Sequence, residues 1–383
     1  MAGPVPTSLL PDTASIDPDG MLSVGGVRVD DLVAEFGTPL FIYDEEHLRA
    51  RCREAVAAFG DGATYATKAF LCTAMARLAY EEGMSLDVAT GGELAVALAA
   101  GVPGERLVMH GNNKSDLELR MAFDARVGRI VVDSFDELAR IEAIHDDTGQ
   151  VADVLLRVTP GVEAHTHEYT ATGQDDSKFG FTVSTGLAAQ AVEAALHSSA
   201  VNLHGIHAHI GSQVFRLESF QRAVEVLADF SNPLGLDELS VGGGLGVAYV
   251  DGEESLPISA WGKIVSQACR AAGVTSRILA EPGRAIVAAA ATTVYRVGTI
   301  KQLDGIRTYV AVDGGMSDNP RPVLYGSGYE TFLPRAADSE RGIAVRVVGK
   351  HCESGDVLVR DGWVPDSIEV GDLLATPVTG AYG

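Results

Sequence analysis

Lys68 is the first residue along the chain whose type and position suit covalent chemistry. It ends the segment Tyr65-Ala-Thr-Lys68, which has the pattern of a β-strand and is followed by the apolar residues Ala69 and Phe70. Removing water from an amine lowers its pKa, and the neutral amine is a nucleophile suited to a Schiff base. The alternative is a lysine of no catalytic role on the rim of a strand–helix loop.

Two glycine-rich segments are candidates for binding phosphate. They are Gly242-Gly-Gly-Leu-Gly246 and Glu281-Pro-Gly-Arg284. The first resembles the dinucleotide fingerprint but has Val247 where the last glycine belongs. Backbone N–H groups in such turns bind phosphate after the last two strands of many barrels. The alternative is a tight turn that requires glycine for its positive φ.

Glu281 adds a carboxylate to the second of these segments. A carboxylate beside a ring nitrogen favours the protonated ring. A pyridoxal cofactor needs that proton if its ring is to act as an electron sink. A lysine, phosphate-binding turns and a carboxylate together indicate pyridoxal phosphate far more specifically than any one of them does.

His207 and His209 support a competing interpretation. They lie two residues apart on one predicted strand, so their side chains point the same way. Such a pair binds metal in barrel hydrolases, and further ligands are available in Asp87, His110 and Glu281. A metal site would leave Lys68 and the glycine-rich turns without a use. A third alternative is a structural pair in which His207 is buried.

Charged residues near the C-terminal end of the chain suit an amino-acid substrate. Arg284 and Arg321 each have the geometry to bind a carboxylate in a bidentate manner. Cys352 stands beside Glu353, which makes an acid and an ion-pair partner available together. Taken alone, Cys352 is more typical of a small buried apolar residue.

The elements that position these residues alternate regularly between strand and helix from residue 63 onward. Helices are predicted near 70–82, 92–100, 116–127, 135–147, 185–198, 217–230 and 258–272, two of them starting at the capping boxes Ser115–Glu118 and Ser134–Glu137. The strands are predicted at 63–67, 85–88, 106–110, 129–132, 153–158, 203–209, 238–241 and 277–280. This alternation predicts an α/β fold with a TIM-type (β/α)₈ barrel, with a doubly wound open sheet as the alternative. Barrel enzymes carry their chemistry where the strands end, and Lys68, Asp87 and Glu281 stand there.

Outside the barrel the pattern changes to strands with few helices. Residues 291–383 are predicted as a β domain, and residues 44–290 as the barrel domain, with Asp44 capping a helix that runs to about Phe59. Residues 1–43 are predicted as a flexible leader, 1–20, followed by strands at 21–29 and 39–43. These strands are expected to join the β domain.

Composition excludes several classes of partner. The chain has 383 residues, with 29 Lys and Arg against 52 Asp and Glu and a net charge of −23. Such acidity argues against nucleic acid and anionic membranes. An apolar run long enough for a membrane span and the features of a signal peptide are both missing from the sequence. Four scattered cysteines argue against a disulfide framework or structural zinc and favour the cytoplasm.

Taken together and in order, these segments resemble the pyridoxal-phosphate-dependent decarboxylases with an alanine-racemase-type barrel, and among them the diaminopimelate decarboxylases. The motif Cys352-Glu-Ser-Gly-Asp356 points to that group rather than to ornithine or arginine decarboxylases. Family members usually continue for some tens of residues past Gly-Ala-Tyr382, whereas this sequence ends at Gly383. The full set of motifs is Tyr65-Ala-Thr-Lys68-Ala69, His110-Gly-Asn-Asn-Lys-Ser115, His209-Ile-Gly-Ser-Gln213, Gly242-Gly-Gly-Leu-Gly246, Glu281-Pro-Gly-Arg284, Cys352-Glu-Ser-Gly-Asp356 and Gly380-Ala-Tyr382.

The resemblance implies a role for each candidate residue. Lys68 would carry the cofactor, His209 would stack on its ring, and Cys352 would donate a proton. The cofactor would be bound by Lys68, Asp87, His209, Ser212, Gly243, Gly244, Glu281, Gly283, Arg284 and Tyr382. The substrate would be bound by Arg284, Arg321, Tyr325, Glu353 and Tyr382. No metal is expected.

The resemblance also implies an activity and an assembly. The expected reaction removes CO₂ from meso-diaminopimelate at its D centre and gives L-lysine, the last step of lysine biosynthesis. The expected assembly is a homodimer in which Cys352 and Glu353 serve the active site of the partner subunit. The alternatives are decarboxylation of another basic or diamino acid, such as ornithine, a non-catalytic homologue, and the metal-dependent hydrolase.

Overall fold

The computed structural model describes residues 1–162 and 173–383, and these form two compact units. The barrel unit comprises Arg51–Gly246 and Leu256–Gly283. The sheet unit comprises Met1–Ala50, Val247–Ser255 and Arg284–Gly383. Within the described residues, no helix combines the length and the apolar character that a bilayer span requires.

The barrel unit contains eight parallel strands that follow one another around the barrel in chain order. The ends of this series meet, because the Thr64 N–H donates to Ala280 O at 2.9 Å and the Ala66 N–H donates to Pro282 O at 3.2 Å. The predicted barrel is therefore confirmed over the open sheet. Barrel strands 1 to 8 are Thr64–Ala66, Ser85–Val88, Leu107–Met109, Arg129–Val132, Ala152–Thr159, Val201–His207, Glu238–Ser240 and Arg277–Leu279. A short strand, Phe181–Thr182, pairs with barrel strand 5.

The helices between these strands lie where the sequence predicts them. At Ser115 the predicted capping box is complete. At Ser134 the hydroxyl caps the Glu137 N–H at 3.2 Å, but the Glu137 carboxylate binds the buried amine of Lys114 at 2.7 Å. The predicted capping box is incomplete because the Glu137 carboxylate is the counter-ion of the buried Lys114 amine. The helices are Thr73–Glu81, Gly91–Ala99, Asp116–Ala125, Phe135–Thr148, Leu187–His197, Leu217–Ser231 and Ile258–Ala271.

The sheet unit is built on a mixed six-stranded sheet, which confirms the predicted β-rich region. Its long strand Ala291–Leu303 pairs with three other strands. One of them is Leu40–Tyr43, so this N-terminal strand joins the sheet as expected. The remaining strands are Arg307–Val312, Ile343–Val348, Val357–Val364 and Leu373–Pro377. Two short helices, Arg284–Val287 and Arg321–Tyr325, belong to the same unit.

The N-terminal segment differs from the prediction in two ways. The prediction of a flexible leader is wrong, because Val5 and Leu10 pack in one core cluster with Leu22 and Phe332. Val5 and Leu10, which lie among the Pro and Asp residues of the segment, make the contact with this core cluster. Residues 21–29 form part of a separate small antiparallel sheet of Ser15–Ile16, Leu22–Val24 and Val27–Arg28, followed by the helix Val29–Phe36.

Asp44 caps the next helix, Glu45–Phe59, as predicted. Its Oδ1 accepts a hydrogen bond from the His47 N–H at 3.2 Å. Its other oxygen, Oδ2, accepts from the Thr13 hydroxyl at 2.8 Å, so the same carboxylate also holds the N-terminal segment.

Candidate active site

The ends of the barrel strands bring a group of titratable side chains together. Glu281 follows barrel strand 8 and is 7% exposed. The Nε2 atom of His207, at the end of strand 6, lies 3.0 Å from Glu281 Oε2. The Ser240 hydroxyl, at the end of strand 7, donates to Glu281 Oε1 at 2.9 Å. His110, after strand 3, places Nε2 at 3.6 Å from the same oxygen. Side chains from three strand ends therefore surround the buried carboxylate at the end of a fourth.

This environment keeps Glu281 ionised. Burial alone raises the pKa of a carboxyl group. The imidazoles of His207 and His110 and the charge of Lys68 act in the opposite direction, and the pKa of Glu281 lies well below its usual range. A buried anion at the end of strand 8 is the electrostatic feature that the sequence predicts for a ring-nitrogen partner.

Asp87 lies close by and has the opposite character. It is 2% exposed, and burial raises its pKa to about 7, although the charge of Lys68 acts to lower it and Glu281 to raise it. Its Oδ2 lies 3.9 Å from Nε2 of His110, whose own pKa burial lowers well below the usual value. Environments that separate the pKa values of two carboxyl groups are typical of acid–base sites.

Lys68 lies two residues after barrel strand 1, in the one-turn segment Thr67–Ala69. Its neighbours Thr67 and Ala69 are buried, but Lys68 itself is exposed. The lowered pKa of this amine therefore stays a prediction. Its charge acts on two buried carboxyl groups, Asp87 and Glu281.

The glycine run after strand 7 allows close backbone packing. A Cβ at Gly243 would lie 2.1 Å from Glu281 O, and one at Gly244, whose φ is +105°, would lie 2.0 Å from Gly211 O. The Gly243 N–H donates to Nδ1 of His209 at 3.1 Å, which fixes that ring beside the turn. The tight-turn requirement is thus met in the structure, and phosphate binding by the same turn stays a prediction.

His207 and His209 are not used as a pair. His207 contacts Glu281 and His209 contacts the glycine turn, because the chain leaves the strand geometry after His207. Among the residues that the structure describes, the group with metal-ligand spacing is His110, His207 and Glu281, whose ligand atoms lie within 4.8 Å of one another. His207 therefore lies with His110 and Glu281, two of the further ligands that the metal alternative named, and His209 lies outside that group.

The sheet unit contains a second cluster, formed by Arg284, Arg321 and three tyrosines. The Arg284 guanidinium donates to the Tyr249 hydroxyl at 2.6 Å and lies 4.6 Å from the ring centre of Tyr382. The Arg321 guanidinium donates to the Tyr329 hydroxyl at 2.8 Å. Both arginines are buried. The cluster places two of the predicted carboxylate-binding residues together with Tyr382.

Cys352 and Glu353 lie on an exposed loop of the sheet unit. Asp356 holds the loop, because its carboxylate accepts from the Met316 N–H at 2.6 Å and from the His351 N–H at 2.8 Å. Hydrogen bonds from the Gly355 backbone and the Ser354 side chain hold the pKa of Glu353 below its usual value. The interpretation of Cys352 as a small buried apolar residue is wrong, because Cys352 is exposed. The loop presents a thiol and a carboxylate to solvent.

Three further candidate residues lie at less buried or tightly packed positions. Tyr325 is 40% exposed, and a second tyrosine, Tyr329, places its buried hydroxyl beside Arg321. Ser212 is half-buried and lies two residues before Val214, which pairs with Leu245 of the glycine run. Gly283 packs closely against barrel strand 1, because a Cβ added to it would lie 2.9 Å from Ala66 O.

Three functional candidates were missed by the sequence analysis: Ser240, Tyr249 and Tyr329. Ser240 stands at a strand end, two residues before the glycine run, which was the available signal. Tyr249 and Tyr329 lie in loops without periodicity, so no pattern marked them.

Known proteins provide an independent comparison. The family model "Pyridoxal-dependent decarboxylase, pyridoxal binding domain" matches residues 45–288. The diaminopimelate decarboxylase of Mycobacterium tuberculosis is 47% identical, over 97% of this chain and 88% of its own length. That of Bacillus subtilis is 46% identical, over 95% of this chain and 86% of its own length.

Solved structures agree with the sequence relatives. The diaminopimelate decarboxylase of M. jannaschii superposes with a TM-score of 0.89 at 31% identity, covering 97% of this chain and 88% of that one. The Helicobacter pylori enzyme complexed with L-lysine gives 0.85 at 31% identity, covering 92% and 89%. The chain therefore belongs to the pyridoxal-dependent decarboxylase family, in the group of the diaminopimelate decarboxylases.

Proposed function

We propose that this chain removes CO₂ from meso-diaminopimelate and releases L-lysine, with pyridoxal phosphate as cofactor. The single observation that carries the proposal is the buried, ionised Glu281 at the end of a barrel whose first strand ends in Lys68. The names of the curated relatives support diaminopimelate as the substrate over ornithine or lysine.

The residues of the barrel unit fit this cofactor. A pyridoxal phosphate site needs an amine, an anionic partner for the ring nitrogen and an anion-binding turn. Lys68, Glu281 and the glycine turn at 242–244 match these needs. Among the described residues, Nε2 of His110 is buried without a hydrogen-bond partner, as expected in a pocket shaped for a polar group. Ser212, Gly243, Gly244 and Gly283 are the proposed phosphate-binding residues.

When bound, pyridoxal phosphate supplies an electron sink for the electron pair that departing CO₂ leaves behind. In our account Lys68 holds the cofactor through its amine, and ionised Glu281 favours a proton on the ring nitrogen. His209, fixed by the Gly243 N–H, covers the ring face. Cys352 donates the proton that replaces the lost carboxylate on the α-carbon.

Substrate recognition needs cations for the carboxylates and an anion for the distal ammonium. Arg284 and Arg321 are the proposed carboxylate-binding residues, because guanidinium groups bind carboxylates in a bidentate manner. Glu353 is the proposed partner of the ammonium, since backbone hydrogen bonds keep it ionised. Tyr382 and Tyr325 complete the proposed substrate-binding set.

We further propose a homodimer with shared active sites. The exposure of Cys352 and Glu353 on one ordered loop supports it, because a proton donor exposed on its own subunit is available to a partner. We also propose that the barrel and β domains divide near residues 44 and 290, supported by the family match over 45–288. We propose that the enzyme acts in the cytoplasm, supported by four cysteines that form no disulfide among the described residues.

The proposal is tested by measuring CO₂ release from the pyridoxal-phosphate-loaded protein. Equal concentrations of meso-diaminopimelate, ornithine, lysine and arginine are compared, with Lys68→Ala as the inactive control. Release from diaminopimelate alone supports the proposal. Faster CO₂ release from ornithine, lysine or arginine would show that the proposed substrate is wrong. Loss of activity on adding a chelator, but not on adding hydroxylamine, would favour the metal-dependent alternative.

A further inference from the structure

Arg321 is a buried cation whose own unit supplies no anion. It is 5% exposed, and among the described residues its guanidinium has no carboxylate within ion-pair distance. Its partners are the Tyr329 hydroxyl at 2.8 Å and the faces of two tyrosine rings, the nearer being Tyr249 at 4.0 Å. A buried charge without a counter-ion is costly to the fold. Such a cost is characteristic of a group kept for an anionic ligand.

Tyr249 contacts both arginines of the cluster. Its hydroxyl accepts from Arg284 at 2.6 Å, and its ring lies under the guanidinium of Arg321 at 4.0 Å. Its ring also meets Tyr329 edge to face, with centres 5.3 Å apart at 83°. One side chain therefore sets the positions of two guanidinium groups, one through a hydrogen bond and one through a cation–π contact.

The loop that carries Tyr249 is anchored within the sheet unit. The Tyr249 N–H donates to Glu253 at 2.8 Å, and the Asp251 N–H donates to Glu330 at 3.1 Å. Glu330 is in turn paired with buried Arg341 at 2.6 Å. Because the Val247–Ser255 segment belongs to the sheet unit, Tyr249 and both arginines share one frame.

We propose that Tyr249 is a positioning residue that holds Arg284 and Arg321 as one preformed receptor for a carboxylate of the substrate remote from the reacting carbon. The inference rests on the proposed function and deepens it. Two long side chains otherwise lose rotamer freedom on binding, and fixing them beforehand lowers that cost. Tyr249 thereby selects an amino acid with a second carboxylate.

The test separates the two contacts of Tyr249. Tyr249→Phe keeps the ring beneath Arg321 and removes the hydroxyl that Arg284 binds. Tyr249→Leu removes both contacts. Tyr309→Phe, on the strand Arg307–Val312 of the same sheet, is the matched control for loss of a tyrosine hydroxyl. Thermal unfolding of each loaded variant establishes that it is folded. If Tyr249→Leu does not fold, Tyr249→Phe alone is sufficient for the test.

The readouts are steady-state kinetics and inhibitor binding. We expect Tyr249→Phe to raise KM for meso-diaminopimelate about tenfold, with kcat changed less than about twofold, and Tyr249→Leu to raise KM further. The inhibition constant of L-lysine, which retains a carboxylate, should rise in parallel. That of cadaverine, which lacks one, should stay within about twofold of wild type.

Equal weakening of L-lysine binding and cadaverine binding in Tyr249→Phe, or a fall in kcat at constant KM, would overturn the inference. Failure of the proposed function is distinguishable, because it is read in the wild-type enzyme. If the wild-type enzyme released no CO₂ from diaminopimelate, or bound L-lysine no better than cadaverine, diaminopimelate would be ruled out as the substrate. Normal wild-type behaviour with an unchanged Tyr249→Phe would remove only the role of Tyr249.

Discussion

His207 Nε2 lies 3.0 Å from Glu281 Oε2, and both side chains are buried. With the Ser240 hydroxyl on the other oxygen, this contact satisfies a carboxylate that burial alone would protonate. The anion is fixed in position at the end of barrel strand 8, and we propose it as the partner of the cofactor ring nitrogen.

Replacing Glu281 tests the need for this charge. Glu281→Gln keeps the shape and removes the anion, so we expect kcat to fall about 100-fold or more. Ser240→Ala removes one hydrogen bond and leaves the charge, so we expect less than a tenfold loss, roughly the worth of one bond. Steady-state kinetics on loaded enzyme measure both. Equal losses would mean that the site needs the hydrogen-bond network and not the anion.

Lys68 is tested by covalent retention of the cofactor. After borohydride reduction and denaturation, intact-mass analysis should show one cofactor per wild-type chain and none on Lys68→Ala, because the amine is the attachment point. Lys178→Ala, which removes a lysine near Phe179, is the control and should retain the adduct. A cofactor adduct on Lys68→Ala would place the attachment elsewhere.

Asp87 makes stability depend on pH in the apoenzyme. Its pKa is raised from 3.8 to about 7, so the folded state holds a proton that the unfolded state has lost between these values. Rising pH across that window therefore favours unfolding, and the cost is complete above about pH 7. Asp87→Asn removes the dependence.

The expected result is a difference in Tm between Asp87→Asn and wild type that grows from pH 4.5 to pH 8 and reaches about 2 °C or more. Scanning calorimetry at several pH values measures it. The exposed residue Asp146 provides the matched control substitution, Asp146→Asn. A Tm difference for Asp87→Asn that shrinks with rising pH would contradict the assigned protonation.

Shared active sites predict complementation between two inactive variants. Lys68→Ala and Cys352→Ala are each expected to lose most activity. If Cys352 serves the partner's site, subunit exchange in an equal mixture restores about a quarter of the sites by random pairing. CO₂ release before and after exchange measures the gain. No recovery, with mixed dimers shown by native mass spectrometry, would place Cys352 in the site of its own subunit.

Glu353 should govern recognition of the distal amine. Glu353→Gln removes the anion that hydrogen bonds from Gly355 and Ser354 keep ionised, so KM for meso-diaminopimelate should rise about tenfold or more. A substrate analogue that lacks the distal amine should be little affected. Kinetics on both compounds give the comparison, and an unchanged preference would remove Glu353 from recognition.

The sequence predicted the barrel well because strand and helix periods alternate plainly from residue 63. It also placed Lys68, Asp87 and Glu281 at strand ends, where the structure has them. The contact between Ser240 and Glu281 depends on the register of neighbouring strands, which one strand's sequence does not encode. The positions of Tyr249 and Tyr329 depend on loops, where periodicity carries no information.

The errors have similar physical causes. The composition of the leader, rich in Pro, Asp and Ser, indicates flexibility, yet Val5 and Leu10 pack in the core cluster and anchor it. Lys68 shows a similar limit: its sequence neighbours are apolar, yet the residue is exposed, because neighbours at a strand end do not determine where a long side chain points.

The most direct test of the central claim is the stoichiometry of products from meso-diaminopimelate. Loaded wild-type enzyme is incubated with the substrate, and CO₂ and L-lysine are quantified together, with Lys68→Ala as the blank. The account predicts one L-lysine for each CO₂ and neither product from the blank. CO₂ without L-lysine, or no turnover by enzyme shown to be fully loaded and dimeric, would contradict it.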